Sequence, residues 1–412
     1  MAHLLDSAAH CGFAKRTLMQ ATPTSPPWLP WAVGLSAASF AVLGACLTLP
    51  GTLLPLLVER FEIRLVEAGS MLVLQPVGYL VTVIGAQYLI ERWGMRVVLS
   101  AGPLAFALGY GGFGLASGWM SGAAMMLITG LGFGVAEVAL NTLLINIGGE
   151  RRSNLLNFTH LFFGVGSFVA PPLVAHAVAA GASWRSCFAV AALAMAAVGI
   201  GWSRLHVDHV TVPAAAPGGG GRAARSRLGY LLAALLGVYV GVEMGLGGWL
   251  TKYMVSERRV SLTYAGNVLS LYWMGLAAGR LALSALSHRF GETALLLGLT
   301  LVSALALPAA VLAPAAWMAV LGFAVTGLGF SGVFPVVIAL GGRHHPHDTA
   351  GITSVMITGA GLGGIVVPWA MSAIADAAGL RAGMIFYALM GASMVALAEV
   401  VRRTIDATGE MQ

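Results

Sequence analysis

Runs of 20 or more mostly apolar positions recur along the 412-residue chain, near 30–58, 66–90, 96–117, 119–148, 154–180 and 183–205. They recur again near 228–256, 261–288, 292–313, 315–341, 348–377 and 381–402. About 20 such residues, rising about 1.5 Å each, cross the roughly 30 Å hydrocarbon core of a bilayer, so each run predicts one membrane-spanning helix. Polar positions collect in short breaks between runs. One longer break, 207–227, contains PAAAPGGGGRAARSR, whose Pro, Ala and Gly cannot build a core and predict a flexible linker. Six spans, a linker and six spans make this an all-α membrane protein of twelve transmembrane helices. The expected divisions are a disordered tail at 1–27, an N-terminal half at 28–206, the linker at 207–227, a C-terminal half at 228–403 and a tail at 404–412. A weak repeat relates the halves: GAQYLIERWGMR (85–96) follows the second span and GRLALSALSHRFG (279–291) ends the eighth. Parallel repeats of this kind are placed around a central substrate path.

Composition supports the same class. Only 9% of residues are charged, against about 25% in soluble domains, and mean hydropathy is +0.85. The 55 glycines suit helices that approach closely in lipid. The net charge of +6 is spread between the spans, which excludes a nucleic-acid surface and reads as a topology signal. Fourteen of the 22 Lys and Arg fall on the side of the two termini and the linker, seven on the other, and Arg280 lies inside a span. That asymmetry puts both termini in the cytoplasm. Residues 1–27 lack the apolar stretch and cleavage site of a signal peptide. Cys11, Cys46 and Cys187 show no metal-ligand or disulfide spacing. Gly130, Gly132 and Gly134 follow no strand, so they make no dinucleotide site, and there is no phosphate-binding Walker sequence. Neither a metal, a cofactor nor an enzymatic activity is expected.

The candidate chemistry is the set of polar residues inside spans. In LGFGVAEVALNTLLINIGGERRSNLLNFTHLFFGVG (131–166), Glu137 and Asn141 share a helical stripe at i, i+4, as do Asn157 and His160 at i, i+3. A charged side chain at mid-span costs at least about 2.5–3.5 kcal/mol, so it faces a bundle interior or a wet cavity. Glu137 is therefore the first candidate for a proton-coupling carboxylate, with a structural, Asn-bonded Glu as the plain alternative. His160 can relay protons or donate to a solute hydroxyl, or simply bond a backbone carbonyl. Glu243, mid-way along the seventh span, can bind a hard cation, titrate or accept hydroxyls. Gln75 beside Pro76 and Asn157 are candidate hydroxyl ligands, and so, more weakly, are Asn267 and Tyr272. Trp249 can stack on a sugar ring or belong to the interfacial belt. Asp376 and Glu399 lie near span ends and can reach water, and His176 reads as structural.

Several stretches carry a resemblance. The Glu91-Arg92-Trp93-Gly94-Met95-Arg96 loop resembles the G-x3-D-R-x-G-R-R signature of the major facilitator superfamily, departing from it at Gln87 and Met95. TLLPLLVERF (52–61), AEVALNTLL (136–144), YVGVEMGLGGWLTKYM (239–254), GRLALSALSHRF (279–290), FPVVIALG (334–341) and GLGGIVVPWAMSAIADAAG (361–379) resemble the fucose/galactose/glucose–proton symporters and their sodium-dependent glucose transporter-like relatives. The resemblance implies two pseudo-symmetric six-helix halves with helices one, four, seven and ten around a cavity. It places Glu137 at the symporters' helix-four carboxylate and Asn141 at the Asn that follows it. Their helix-one Asp is Gly51 here, while Glu243 matches the sodium-dependent relatives. Arg280, in its Gly-Arg-Leu-Ala-Leu match and nine residues from Arg289, is expected to join Arg289 and Arg92 in a cytoplasmic gate.

Together these features point to a monomeric secondary transporter of the bacterial inner membrane. Its cargo would be a neutral, hydroxyl-rich solute of the hexose type, moved with H⁺ or Na⁺. The alternatives are a cation-coupled exporter of amphipathic drugs or metabolites, and a non-transporting receptor on a transporter fold, against which the short loops argue.

Overall fold

A computed structural model describes residues 28–207, 225–286 and 289–409. The expected tail at 1–27 and nearly all of the expected linker lie outside the described residues. The first half comprises α1 (Leu29–Phe61), α2 (Leu65–Trp93), α3 (Met95–Gly114), α4 (Trp119–Gly148), α5 (Arg152–Ala179) and α6 (Trp184–Arg204). The second comprises α7 (Arg227–Glu257), α8 (Leu262–Leu286), α9 (Glu292–Leu312), α10, α11 (Thr349–Ala378) and α12 (Leu380–Gly409). Helix α10 is broken into Ala316–Phe330 and Val333–His344 by a turn at Ser331-Gly332, where the apolar pattern predicts one span. Among the described residues, eleven of these twelve are long and apolar enough to cross a membrane. The twelfth, α8, has the length and carries Arg280 in its interior. Helix α12 also runs two turns beyond the expected end at 403. Arg402 and Arg403 look like the edge of the bilayer, but i, i+3 and i, i+4 pairs of Glu399 with Arg402 and Arg403, and of Arg402 with Asp406, continue the helix into water.

Consecutive helices are joined by short turns and so cross back and forth. Residues 28, 207, 225 and 409 therefore emerge on one side, here called the linker face, opposite the far face. Four turns hold glycine in the left-handed region: Gly94 (φ +82°) between α2 and α3, Gly149 (φ +50°) between α4 and α5, Gly181 (φ +99°) between α5 and α6, and Gly379 (φ +91°) between α11 and α12.

Within each half, glycines set the helix spacing. A Cβ on Gly130 of α4 would collide with the Gln75 carbonyl of α2, and one on Gly78 with the Leu127 carbonyl. One turn on, Gly134 meets Thr82, and on the next face Gly132 meets Phe106 of α3. Lipid gives no hydrophobic drive to helix association, so this close backbone approach supplies the packing. Polar tips inside the bundle find partners. The Tyr110 hydroxyl donates to the Cys46 carbonyl at 2.7 Å, and Trp202 Nε1 donates to Ser39 Oγ at 3.0 Å.

The halves meet along antiparallel seams that run from mid-height to the far face. Along α5 and α8, Gly164 stands over Ala277, Ser270 Oγ donates to the Phe168 carbonyl at 2.6 Å, and Gly266 packs on Pro171 and Ala175. Along α2 and α11, Leu80 meets Gly361 and Gly69 meets Ser372. At the top of this second seam, Asp376 Oδ1 accepts the Leu65 backbone N–H at 3.0 Å, and Arg64 lies 3.8 Å from Asp376. Asp376 thus caps the first turn of α2 from the other half, where the helix dipole favours an anion. Between the seams, Gly51 of α1 meets the Gly247 carbonyl of α7. These contacts hold the far face shut.

Two outcomes follow. Gly130→Ala should lower the melting temperature of the purified protein, since overpacking costs about 1–3 kcal/mol. Gly298→Ala in α9, where nothing lies within 4 Å, should leave it unchanged or raise it slightly through helix propensity. Asp376→Asn, which weakens the cross-half cap, should increase thiol-reagent labelling of a Ser372→Cys reporter in a background lacking the native cysteines.

Candidate functional site

Below the seams, polar side chains from both halves gather at mid-height. In the first half, the glycine face of α4 brings that helix onto α2, and the Tyr79 hydroxyl lies against the Glu137 carboxyl. One turn nearer the linker face, Asn141 Oδ1 lies 3.0 Å from His160 Nε2 of α5. The His160 ring also stacks on Phe40 of α1, with centroids 4.4 Å apart. The two stripes legible in the sequence therefore meet through Asn141 and His160. Glu137 takes Tyr79 as its partner, so a direct Glu137–His160 relay is not the contact formed.

In the second half, Glu243 of α7 is almost wholly buried and Arg280 Nη2 of α8 lies 3.9 Å from its Oε1. The Tyr239 hydroxyl, one turn before Glu243, lies against both groups. Tyr272 donates its hydroxyl to the Glu243 main-chain carbonyl at 3.1 Å. Arg280 is thus tied to Glu243, the anion that a guanidinium inside a span needs. An interior guanidinium takes the nearest carboxylate, and only the packing of α7 on α8 reveals which that is. Across the seam Arg280 is also close enough to His160 for its charge to act on the ring.

The remaining sequence candidates scatter. Gln75 is buried one turn from Tyr79, and Asn157 is exposed one turn toward the linker face from His160. Asn267 is exposed near the far-face end of α8, 13 residues and so about 20 Å of helix from Arg280, which removes it from the cluster. Trp249 is fully buried, its ring set against Gly69 of α2 with Nε1 unbonded. That position belongs to the closed seam between the halves and not to a lipid-facing belt. Arg92 and Arg289 are exposed at the linker face, while Arg96 of the same loop binds the Ser203 carbonyl of α6 through Nε at 3.0 Å. Sequence reasoning missed Tyr79 and Tyr239. A phenol deep inside a span needs a polar partner, and that signal was available for both.

Among the described residues, Glu137 in the first half lies beside Tyr79, and Glu243 in the second lies beside Tyr239 and Arg280. The model of the Major Facilitator Superfamily matches residues 35–351 and 231–409 of the chain. A protein TsgA homolog of Erwinia tasmaniensis is 23% identical over 360 residues, covering 85% of this chain and 89% of its own. The glucose/mannose transporter GlcP of Bacillus subtilis is 20% identical over 388 residues, covering 89% and 94%. The crystal structure of the E. coli fucose:proton symporter FucP superposes with a TM-score of 0.61 at 20% identity, covering 90% and 98%. With its twelve helices in two halves and a family match along nearly its whole length, the chain belongs to the major facilitator superfamily of membrane transporters.

Proposed function

We propose that this transporter moves a hexose-type sugar by cation-coupled alternating access, with Glu137 and Glu243 as the coupling carboxylates. The observation that carries the reading is that pair of interior carboxylates, one per half, each beside a tyrosine. A carboxylate there can take up a cation when wet and release it when the surroundings change, because burial and opening alter the relative stability of its charged form. Asn141, His160, Asn157 and Gln75 supply amide and imidazole groups suited to hydroxyls, and Arg92 and Arg289 stand where a linker-side gate would form. The named sugar transporters among the relatives support the substrate class.

Orientation follows from the basic residues. Lys and Arg concentrate on the linker face, which the positive-inside rule assigns to the cytoplasm, with both termini there and the protein in a bacterial inner membrane. The far-face closure then corresponds to an inward-open state. His160, held by Asn141 and Phe40, is positioned to pass the state of one half to the other through Arg280. Trp249, buried against Gly69 of the other half, acts as part of the outer seal.

Uptake of labelled glucose, galactose and fucose into proteoliposomes, with a pH gradient alone, a Na⁺ gradient alone or neither, tests the reading. Accumulation should require one gradient. Glu137→Gln and Glu243→Gln should each reduce accumulation to the equilibrium level, since an amide neither binds nor releases the cation. Counterflow exchange should persist in Glu137→Gln. Normal accumulation in both variants, or no sugar movement under any gradient, overturns the proposal.

A further inference from the structure

The half-exposed Arg280 presents a positive charge near the first half that a plain sugar does not use. Its side chain is 46% exposed, whereas that of its partner Glu243 is 5% exposed. The carboxylate is tucked behind the guanidinium against Tyr239, so what the space between the halves meets is the cation. The contact with Glu243 is single and long at 3.9 Å, and the guanidinium has five N–H donors in a planar fork. Charged and polar groups around its head come from α7 and α5, so the exposed part of the head faces inward and not toward lipid. Directly across the seam is His160, fixed by Asn141 and Phe40 in the other half. One turn farther along both helices, Gly164 and Ala277 close the gap.

We infer that the solute is an acidic sugar whose carboxylate binds Arg280 on the wall facing His160, with its hydroxyls toward Asn141 and Asn157. The inference rests on the transport reading above and narrows its substrate class. A carboxylate matches the guanidinium fork with two parallel hydrogen bonds, and such bonds are about twice as strong as neutral ones. A single negative charge is the fitting load. Glu243 already offsets part of the arginine's charge, and a phosphate dianion would need a second fixed cation that the cluster lacks among the described residues. Bound there, the anion touches α8 of one half and α5 of the other just below their seam. Occupancy is thereby linked to the relative position of the halves.

The test compares galacturonate with galactose, and glucuronate with glucose, on the purified full-length protein. Concentration-dependent thermal shift and competition in proteoliposome uptake provide the readouts. Each hexuronate should act at a concentration at least tenfold below that of its parent hexose. Arg280→Gln should bring that ratio to about one, the acid losing far more than the hexose. Arg280→Lys keeps a charge beside Glu243 but lacks the fork, and should give an intermediate ratio even if the Gln variant fails to fold. Hexoses acting as well as the acids in the wild type, or an acid preference surviving both substitutions, overturns the inference while leaving sugar transport standing. Binding of neither class, with shifts from lipophilic cations instead, overturns both.

Discussion

A bilayer offers no water to satisfy polar groups, so a charge inside this protein is costly unless another part of it answers that charge. That constraint accounts for the central cluster. Arg280 is held by Glu243, Glu243 is flanked by Tyr239 and Tyr272, Glu137 is met by Tyr79, and His160 is bound to Asn141. The same demand ties Tyr110 and Trp202 to α1 in the outer part of the first half. Interior charge is thereby gathered at mid-height, while buried hydroxyls elsewhere bond the backbone of their own or a neighbouring helix. Elsewhere the helices present apolar surface and small residues.

The two kinds of residue divide the work. Glycines on α2, α4, α5 and α7 remove side chains so that backbones approach, which fixes where each helix stands. The few polar side chains then project from helices whose positions are already set. The seams show the same division on a larger scale. Small residues make most of the contact along α1–α7, α2–α11 and α5–α8, and a charged device, Asp376 on the first turn of α2, sits at the outer rim. Closure of the far face is thus a matter of shape for most of its length and of electrostatics only at its edge.

Much of this was legible in the sequence, for a physical reason. The length needed to cross hydrocarbon is fixed, so the twelve spans could be read from apolar runs alone. The cost of interior charge is high, so Glu137 and Glu243 stood out. What could not be read was pairing between distant helices. Arg280 needs an anion, but Glu243 is 37 positions away and meets it only because α7 packs on α8. Asp376 looked like a residue reaching water at a helix end, and half of that is true. Its other half, the cap on a helix 311 residues away, exists only in three dimensions. Trp249 carried two sequence readings, stacking and belt, and the fold supplies a third by turning it toward Gly69. The extension of α12 to Gly409 was hidden because its charges were read as the end of lipid, although their spacing also suits a helix in water.

The backbone-to-backbone character of the seam has an entropic consequence. Burying a flexible side chain in a contact costs up to about 1.5–2 kcal/mol of rotamer freedom, and glycine costs none. Joining Gly51 to Gly247, or Gly266 to the Pro171 carbonyl, immobilises almost nothing that was mobile before. The open and closed arrangements then differ little in side-chain disorder. Their balance is left to the small energies of a few polar contacts, which a bound solute or cation is strong enough to tip.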